Sequence, residues 1–182
     1  MIVPDTGSVE VLGTRLDRLA GPARDPFRAA HIGIIFQMFN LLPYLSVLDN
    51  VLLPLRFAPG RRRRVVARGT SPEAEARRLL ERLHLEPGLA RRPASNLSVG
   101  QQQRVAAARA LIGAPEIVIA DEPTSALDRD RQAAFLDLIA AELAAAGGTL
   151  LMVSHDPTLG DRFERVVRLQ SVLEPERAEL AA

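Results

Sequence analysis

Apolar positions fall along this chain in short blocks whose periods change from two to about 3.6 and back. After a turn at Pro4-Asp5-Thr6-Gly7, residues Ser8 to Leu12 alternate into Gly13, which predicts a short strand. Ile32 to Phe36 is a β-branched run of strand length that ends at the polar Gln37, with loop composition continuing through Asn40 to Pro43. Ser71 followed by Pro72 marks a helix start, and Ala76, Leu79, Leu80 and Leu83 supply its single apolar stripe. Ser98 is positioned to cap a second helix that runs to about Ile112 and stops at Gly113 and Pro115. Glu116 to Ala120 is a buried-type strand, Phe135, Leu138, Ile139 and Leu143 have helical spacing, and Thr149 to Val153 is a third apolar run. Strand, helix and strand in that order predict a parallel βαβ unit and an α/β fold.

Composition narrows the classes. At 182 residues, 47% apolar and 25% charged, the chain suits one packed domain and not a disordered or fibrous one. A net charge of +1 supplies no global basic field, so nucleic acid is not an expected partner. The absence of cysteine removes disulfides and thiolate metal sites and permits a reducing compartment, with the cytoplasm as the expected location. The apolar stretch from Leu41 to Leu55 is broken by Asp49, Asn50 and Pro54, too soon for a membrane-spanning helix, and Met1 opens no signal peptide. No internal repeat is visible, and Arg61 to Arg64 is the one low-complexity run. All basic residues are arginine; there is no lysine.

Two segments carry chemistry. Ile117 to Ala120 delivers the adjacent carboxylates of Asp121 and Glu122 to a strand's C-terminal end, where open α/β sheets place their ligands. Such a pair divides labour: Asp121 to hold the Mg²⁺ that bridges nucleotide phosphates, Glu122 to polarise the attacking water. By itself an acid pair after an apolar run is also what a solvated strand end gives. Leu97-Ser98-Val99-Gly100-Gln101, followed by Gln102, Gln103 and Arg104, sets a hydroxyl, a glycine and an amide at a helix start. Free N–H groups there suit an anion, and an ordinary capped helix has the same residues.

Taken together these segments resemble the ATP-binding cassette (ABC) family. Its signature LSGGQ stands here as LSVGQ with the following QQR, Asp121 and Glu122 fall on the Walker B acids, and Ser125-Ala126-Leu127-Asp128 on the D-loop. Gln37 falls on the Q-loop glutamine, and His155, after Leu151-Met152-Val153-Ser154, on the switch histidine. The motifs cover about residues 1 to 170. The resemblance implies that Gln37 contacts Mg²⁺ and relays nucleotide state, that His155 reaches the γ-phosphate, and that Ser98, Gly100, Gln101 and Asp128 face nucleotide, the signature residues that of a partner subunit. ATP and Mg²⁺ are the implied cofactors. A second ATPase subunit, paired head to tail, and membrane permease subunits are the implied partners, with the protein held at the inner face of the membrane. His31 and His84 match no family position and are expected to be structural.

In the family's frame, residues 1–37 and 114–170 form a RecA-like P-loop NTPase core, 38–113 an inserted helical subdomain, and 171–182 a tail without assigned role. Arg61 to Arg64 is expected to be a solvated loop, with lipid-headgroup contact as the alternative. The family's GxxxxGK[ST] is missing, and a chain without lysine cannot supply it in disguise. Val3 to Val9 resembles the segment that follows Walker A, so the chain is expected to start downstream of the N-terminal strands and P-loop. The resemblance places the Walker A strand beside the Walker B strand. The expectation is an ATPase subunit of an ABC transporter, inactive as these 182 residues alone, on the lipoprotein-release and macrolide-export branch suggested by Phe36 to Val51. The alternative is a non-catalytic regulatory or interaction module derived from such an ATPase. Non-transport ABC proteins need tandem domains or long coiled coils, and transported substrate is set by subunits outside this chain.

Overall fold

The computed structural model describes residue 4, residues 6–125, residue 127 and residues 129–168. It opens with a hairpin of β1 (Glu10–Val11) and β2 (Thr14–Arg15). Leu12 and Gly13 join the two strands with φ values of 51° and 73°, the double left-handed turn that matches strand twist. Asp17 ties the hairpin down by accepting from the Val9 N–H at 3.0 Å and from Arg15 Nη2 at 2.7 Å.

Helix α1 (Gly21–His31) follows and leads directly into β3 (Ile32–Ile35). Its prolines, Pro22 in the first turn and Pro26 inside, read in sequence as helix breakers, and none of its residues is buried. From β3 the chain makes four helices, α2 (Val47–Phe57), α3 (Pro59–Ala67), α4 (Pro72–Arg82) and α5 (Val99–Leu111), before β4 (Ile117–Asp121). Helix α6 (Arg129–Ala146) and β5 (Thr149–Val153) complete the βαβ unit. Ser71 caps α4 by accepting from the Ala74 N–H at 3.1 Å, and Ala76, Leu79, Leu80 and Leu83 are buried. Asn50, which interrupts the apolar stretch in sequence, is fully buried and satisfied: it accepts from the Leu42 N–H at 2.8 Å and donates to the Leu42 carbonyl at 3.0 Å. It thereby fixes the loop that leads into α2.

The three longer strands form one parallel sheet in the order β3-β4-β5, with Ile35 opposite Ala120 and Asp121 opposite Val153. Helix α5 lies against the face formed by Gly33, Ile35, Val118 and Ala120, and its own Val105, Ala106, Ala107 and Ala108 are fully buried. A Cβ at Gly33 would fall 2.3 Å from the Ala110 carbonyl oxygen, so only glycine lets the helix approach this closely.

Two expectations are corrected. The strand carrying Asp121 has β3 on one side and β5 on the other, so no further strand fits beside it; the Walker A strand cannot occupy that place. The open positions in the described sheet are the outer edges of β3 and β5, and on β5 Leu151 and Val153 remain more than half exposed. Arg61 to Arg64 is not a solvated loop but part of α3. Arg61 is 2% exposed, with Nε donating to the Ile112 carbonyl at 2.8 Å and Nη2 to the Ala110 carbonyl at 2.6 Å. Arg64 donates Nε to the Gly113 carbonyl at 2.9 Å and Nη2 to the Ala30 carbonyl at 2.7 Å. These arginines cover the C-terminal carbonyls of α5, where the helix dipole also favours a cation. Among the described residues no helix is long and apolar enough to cross a membrane.

Candidate functional site

Parallel pairing brings the ends of three strands to one edge of the sheet. Gln37 lies two residues past β3, Asp121 closes β4 with Glu122 next to it, and His155 lies two residues past β5. The residues singled out in sequence therefore occupy adjacent strand ends on the carboxyl side of one sheet. Asp121 and Gln37 are exposed, and Glu122 is partly buried. Both carboxylates follow from the strand: Val118 and Ala120 pack inward, and pairing stops at Asp121.

Glu122 has a left-handed backbone, φ 45°, uncommon for a residue with a side chain. Its N–H donates to the Val153 carbonyl at 3.0 Å, and Oε1 accepts from the His155 N–H at 2.8 Å and lies 2.7 Å from His155 Nδ1. The resemblance implies separate tasks for these two residues; the structure pairs them. The other carboxylate oxygen takes no part in these contacts. Glu122 raises the His155 pKa above 6.5 by hydrogen bond and charge, against the desolvation of the ring, and Asp156 adds a smaller push in the same direction as Glu122. A raised folded-state pKa means that the pairing stabilises the protein below pH 6.5 and that this contribution is lost as pH rises through the folded value. An NMR titration of the His155 imidazole is expected to show a midpoint above 6.5 that falls back toward 6.5 in Glu122→Gln; an unchanged midpoint would show the pair to be absent in solution.

Gln103, in sequence only a member of the run after LSVGQ, gains a further contact in the fold. It is 1% exposed, and its Nε2 donates to the carbonyl of Pro123, next to Glu122, so α5 reaches the acid pair from behind. The signal was present as a polar residue on the helix's apolar side, but its partner lies 20 residues away.

Ser98, Gly100 and Gln101 lie together at the start of α5. Ser98 Oγ accepts from the Gln101 N–H at 3.4 Å, and Gln101 Oε1 accepts from the Ser98 N–H at 3.0 Å, a reciprocal capping box. Ser98 and Val99 are exposed. Gly100 has no left-handed φ, and a Cβ there would meet no atom within 4 Å. Within this chain nothing requires glycine at a helical position that alanine would favour by about 0.5–1 kcal/mol. Gly100→Ala is accordingly expected to raise the urea midpoint slightly; a lowered midpoint would reveal an internal need for glycine.

Mg²⁺ fits the donor set. The Asp121 carboxylate and the Gln37 amide oxygen are hard oxygen donors of the kind this ion takes, one or two at a time, together with phosphates and water. Among the described residues no group of three or more His, Cys, Asp or Glu could hold a metal ion. Asp128 and Ala126 of the expected D-loop lie outside the described residues. His31 lies 3.2 Å from Glu116 and against the Phe27 ring, and His84 lies two residues past α4 with a left-handed φ of 57°.

The family model described as ABC transporter matches residues 1–125. The macrolide export ATP-binding/permease protein MacB 1 of Aeromonas hydrophila is 42% identical over 167 residues, covering 92% of this chain and 24% of that protein. The lipoprotein-releasing system ATP-binding protein LolD of Novosphingobium aromaticivorans is 40% identical over 170 residues, covering 93% of this chain and 72% of that protein. A solved dimer of the ATP-binding cassette MJ0796 in a post-hydrolysis state, bound to ADP and Pi, superposes with a TM-score of 0.73 at 34% identity, over 87% of this chain and 66% of that one. The chain thus spans about a quarter of the length of the export ATP-binding/permease relatives. Motif order, parallel sheet and these likenesses agree: the chain belongs to the ABC transporter family, as an α/β ATP-binding domain of the branch that includes LolD and MacB.

Proposed function

We propose that this chain is the ATP-hydrolysing part of a transporter, acting on ATP and Mg²⁺ whose triphosphate is gripped by groups outside these 182 residues. The observation that carries this is the meeting of Gln37, Asp121, Glu122 and His155 at three adjacent strand ends. In this scheme Asp121 and Gln37 hold the ion, which neutralises developing phosphate charge when bound. Glu122 orients the attacking water, and His155, held by Glu122 through Nδ1, reaches the terminal phosphate. The capped start of α5, with Ser98, Gly100, Gln101 and the absence of a Cβ at 100, closes over nucleotide held by a second cassette in a head-to-tail dimer. Asp128 contributes from the D-loop. The core comprises 1–37 and 114–170, and the helical subdomain 38–113 faces a membrane permease that keeps the protein at the cytoplasmic face of the membrane.

The 182 residues alone contain no lysine and bind ATP weakly. Titration with a fluorescent ATP analogue is expected to give no saturation at micromolar concentration; a micromolar dissociation constant would overturn this. For the functional role, the chain is mixed with a homologous cassette that retains its P-loop but carries alanine at its signature serine. ATP hydrolysis well above that of the homologue alone supports the assignment. No increase, with a complex demonstrated by cross-linking, favours a regulatory module instead.

A further inference from the structure

Immediately after Gln37 and Met38, Phe39 and Asn40 adopt the left-handed backbone conformation in succession, with φ values of 59° and 48°. Residues with side chains are rarely found there and stay only where their surroundings hold them. Two local bonds help: the Phe39 N–H donates to the Phe36 carbonyl at 2.9 Å, and the Asn40 N–H to the Met38 carbonyl at 2.6 Å. The remaining hold comes from α5. Arg109 donates Nη1 to the Asn40 carbonyl at 2.6 Å and Nη2 to the Phe39 carbonyl at 2.5 Å. One planar guanidinium thus grips both carbonyls of the strained pair, which the single ammonium of lysine could not do in the same geometry.

We infer that Arg109 is a positioning residue for Gln37: it fixes the left-handed turn after that glutamine and joins it to the helix whose other end carries Ser98, Gly100 and Gln101. Arg109 touches no reacting atom in this scheme; it acts through the backbone. Helix α5 is continuous from Val99 to Leu111, so its capped end and the Arg109 clamp move as one body. Displacement of the capped end by a second subunit is thereby carried to the loop that presents Gln37. The functional meaning rests on the roles proposed above for Gln37 and the capped helix; the clamp itself does not.

A mere anchor for α5 would have different consequences, and amide hydrogen exchange separates them. In Arg109→Gln, exchange of the Phe39 and Leu42 amides is expected to rise about tenfold, while amides within α4 stay within about twofold. Arg109→Lys, which keeps the charge, is expected to give about threefold. Adding Asn40→Gly to Arg109→Gln removes part of the strain and should recover at least threefold. The Gln37 side-chain amide resonance is expected to move in Arg109→Gln and to return toward its original position in the double variant. Unchanged exchange at Phe39, an equal rise throughout α5 and α4 without recovery by Asn40→Gly, or a stationary Gln37 resonance would each overturn the inference. Arg109→Lys keeps the test informative if Arg109→Gln does not fold. Neither measurement uses nucleotide, so failure here is distinguishable from failure of the hydrolysis test.

Discussion

Arg61→Ala is expected to lower the stability of the folded chain by about 3 kcal/mol or more, read as a fall in urea midpoint at constant slope. The side chain lies 2% exposed between α3 and the end of α5, where its two bonds satisfy the Ala110 and Ile112 carbonyls. Alanine would leave both acceptors buried without a donor and open a space the length of the arginine stem. A buried charge is itself costly: desolvation lowers the Arg61 pKa to about 10, the neighbouring Arg64 acts in the same direction, and Glu116 opposes. The group remains cationic at neutral pH, and the negative end of the α5 dipole compensates part of that cost. The net loss is therefore smaller than the two hydrogen bonds taken alone would suggest, and still large beside ordinary surface substitutions. Arg61→Lys discriminates between charge and geometry. Lysine retains the charge but cannot present two donors in a fixed fork, so it should recover less than half of the loss. Full recovery by lysine would show that charge at the helix end, and not the pair of bonds, is what matters.

This arginine also marks the boundary of what the sequence makes legible. Capped helices, strand runs and motif order depend on neighbours a few positions apart, so Ser71, Ser98 and the runs at 32–36, 117–120 and 149–153 could be read directly. Four consecutive arginines look solvated by the same local logic. Only the fold places the Ala110, Ile112 and Gly113 carbonyls, some 50 residues away in sequence, beside Arg61 and Arg64. Sheet order is equally non-local. The acid-bearing strand reads as buried and as part of a parallel βαβ unit, but which strands flank it is decided by pairing, and β3 and β5 take both sides. At the site, the strand pattern placed only the Asp121 and Glu122 pair at a sheet edge, and Gln37 and His155 joined it through the family resemblance. Neither could foretell that Glu122 would bind His155, because that contact depends on a left-handed turn at 122 and on strand register. Helix α1 was invisible for a simpler reason: prolines at 22 and 26 read as helix breakers, and none of its residues is buried.

The second large effect is expected at Gly33. Gly33→Ala would place a methyl group 2.3 Å from the Ala110 carbonyl oxygen, 3.0 Å from its carbon and 3.2 Å from Val118 Cγ2. The nearest atoms belong to the backbone of α5, so no rotamer change relieves the overlap; the helix must move off the sheet. Overpacking of this kind costs about 1–3 kcal/mol, and a rigid backbone neighbour puts Gly33 at the upper end. Gly60→Ala is the control, since a Cβ at Gly60 meets nothing within 4 Å, and it should be neutral or slightly stabilising. Both large substitutions act on one atom. The Ala110 carbonyl that blocks a side chain at 33 is the one that Arg61 Nη2 holds at 2.6 Å, so shifting the helix in Gly33→Ala also loosens the arginine clamp. The double variant should therefore lose less than the sum of the two single losses, by about 0.5 kcal/mol or more, because each change spends part of the same interaction. Additive losses would mean that the helix accommodates the methyl group without moving Ala110 away from Arg61, and that the close approach of α5 to β3 is softer than its geometry suggests.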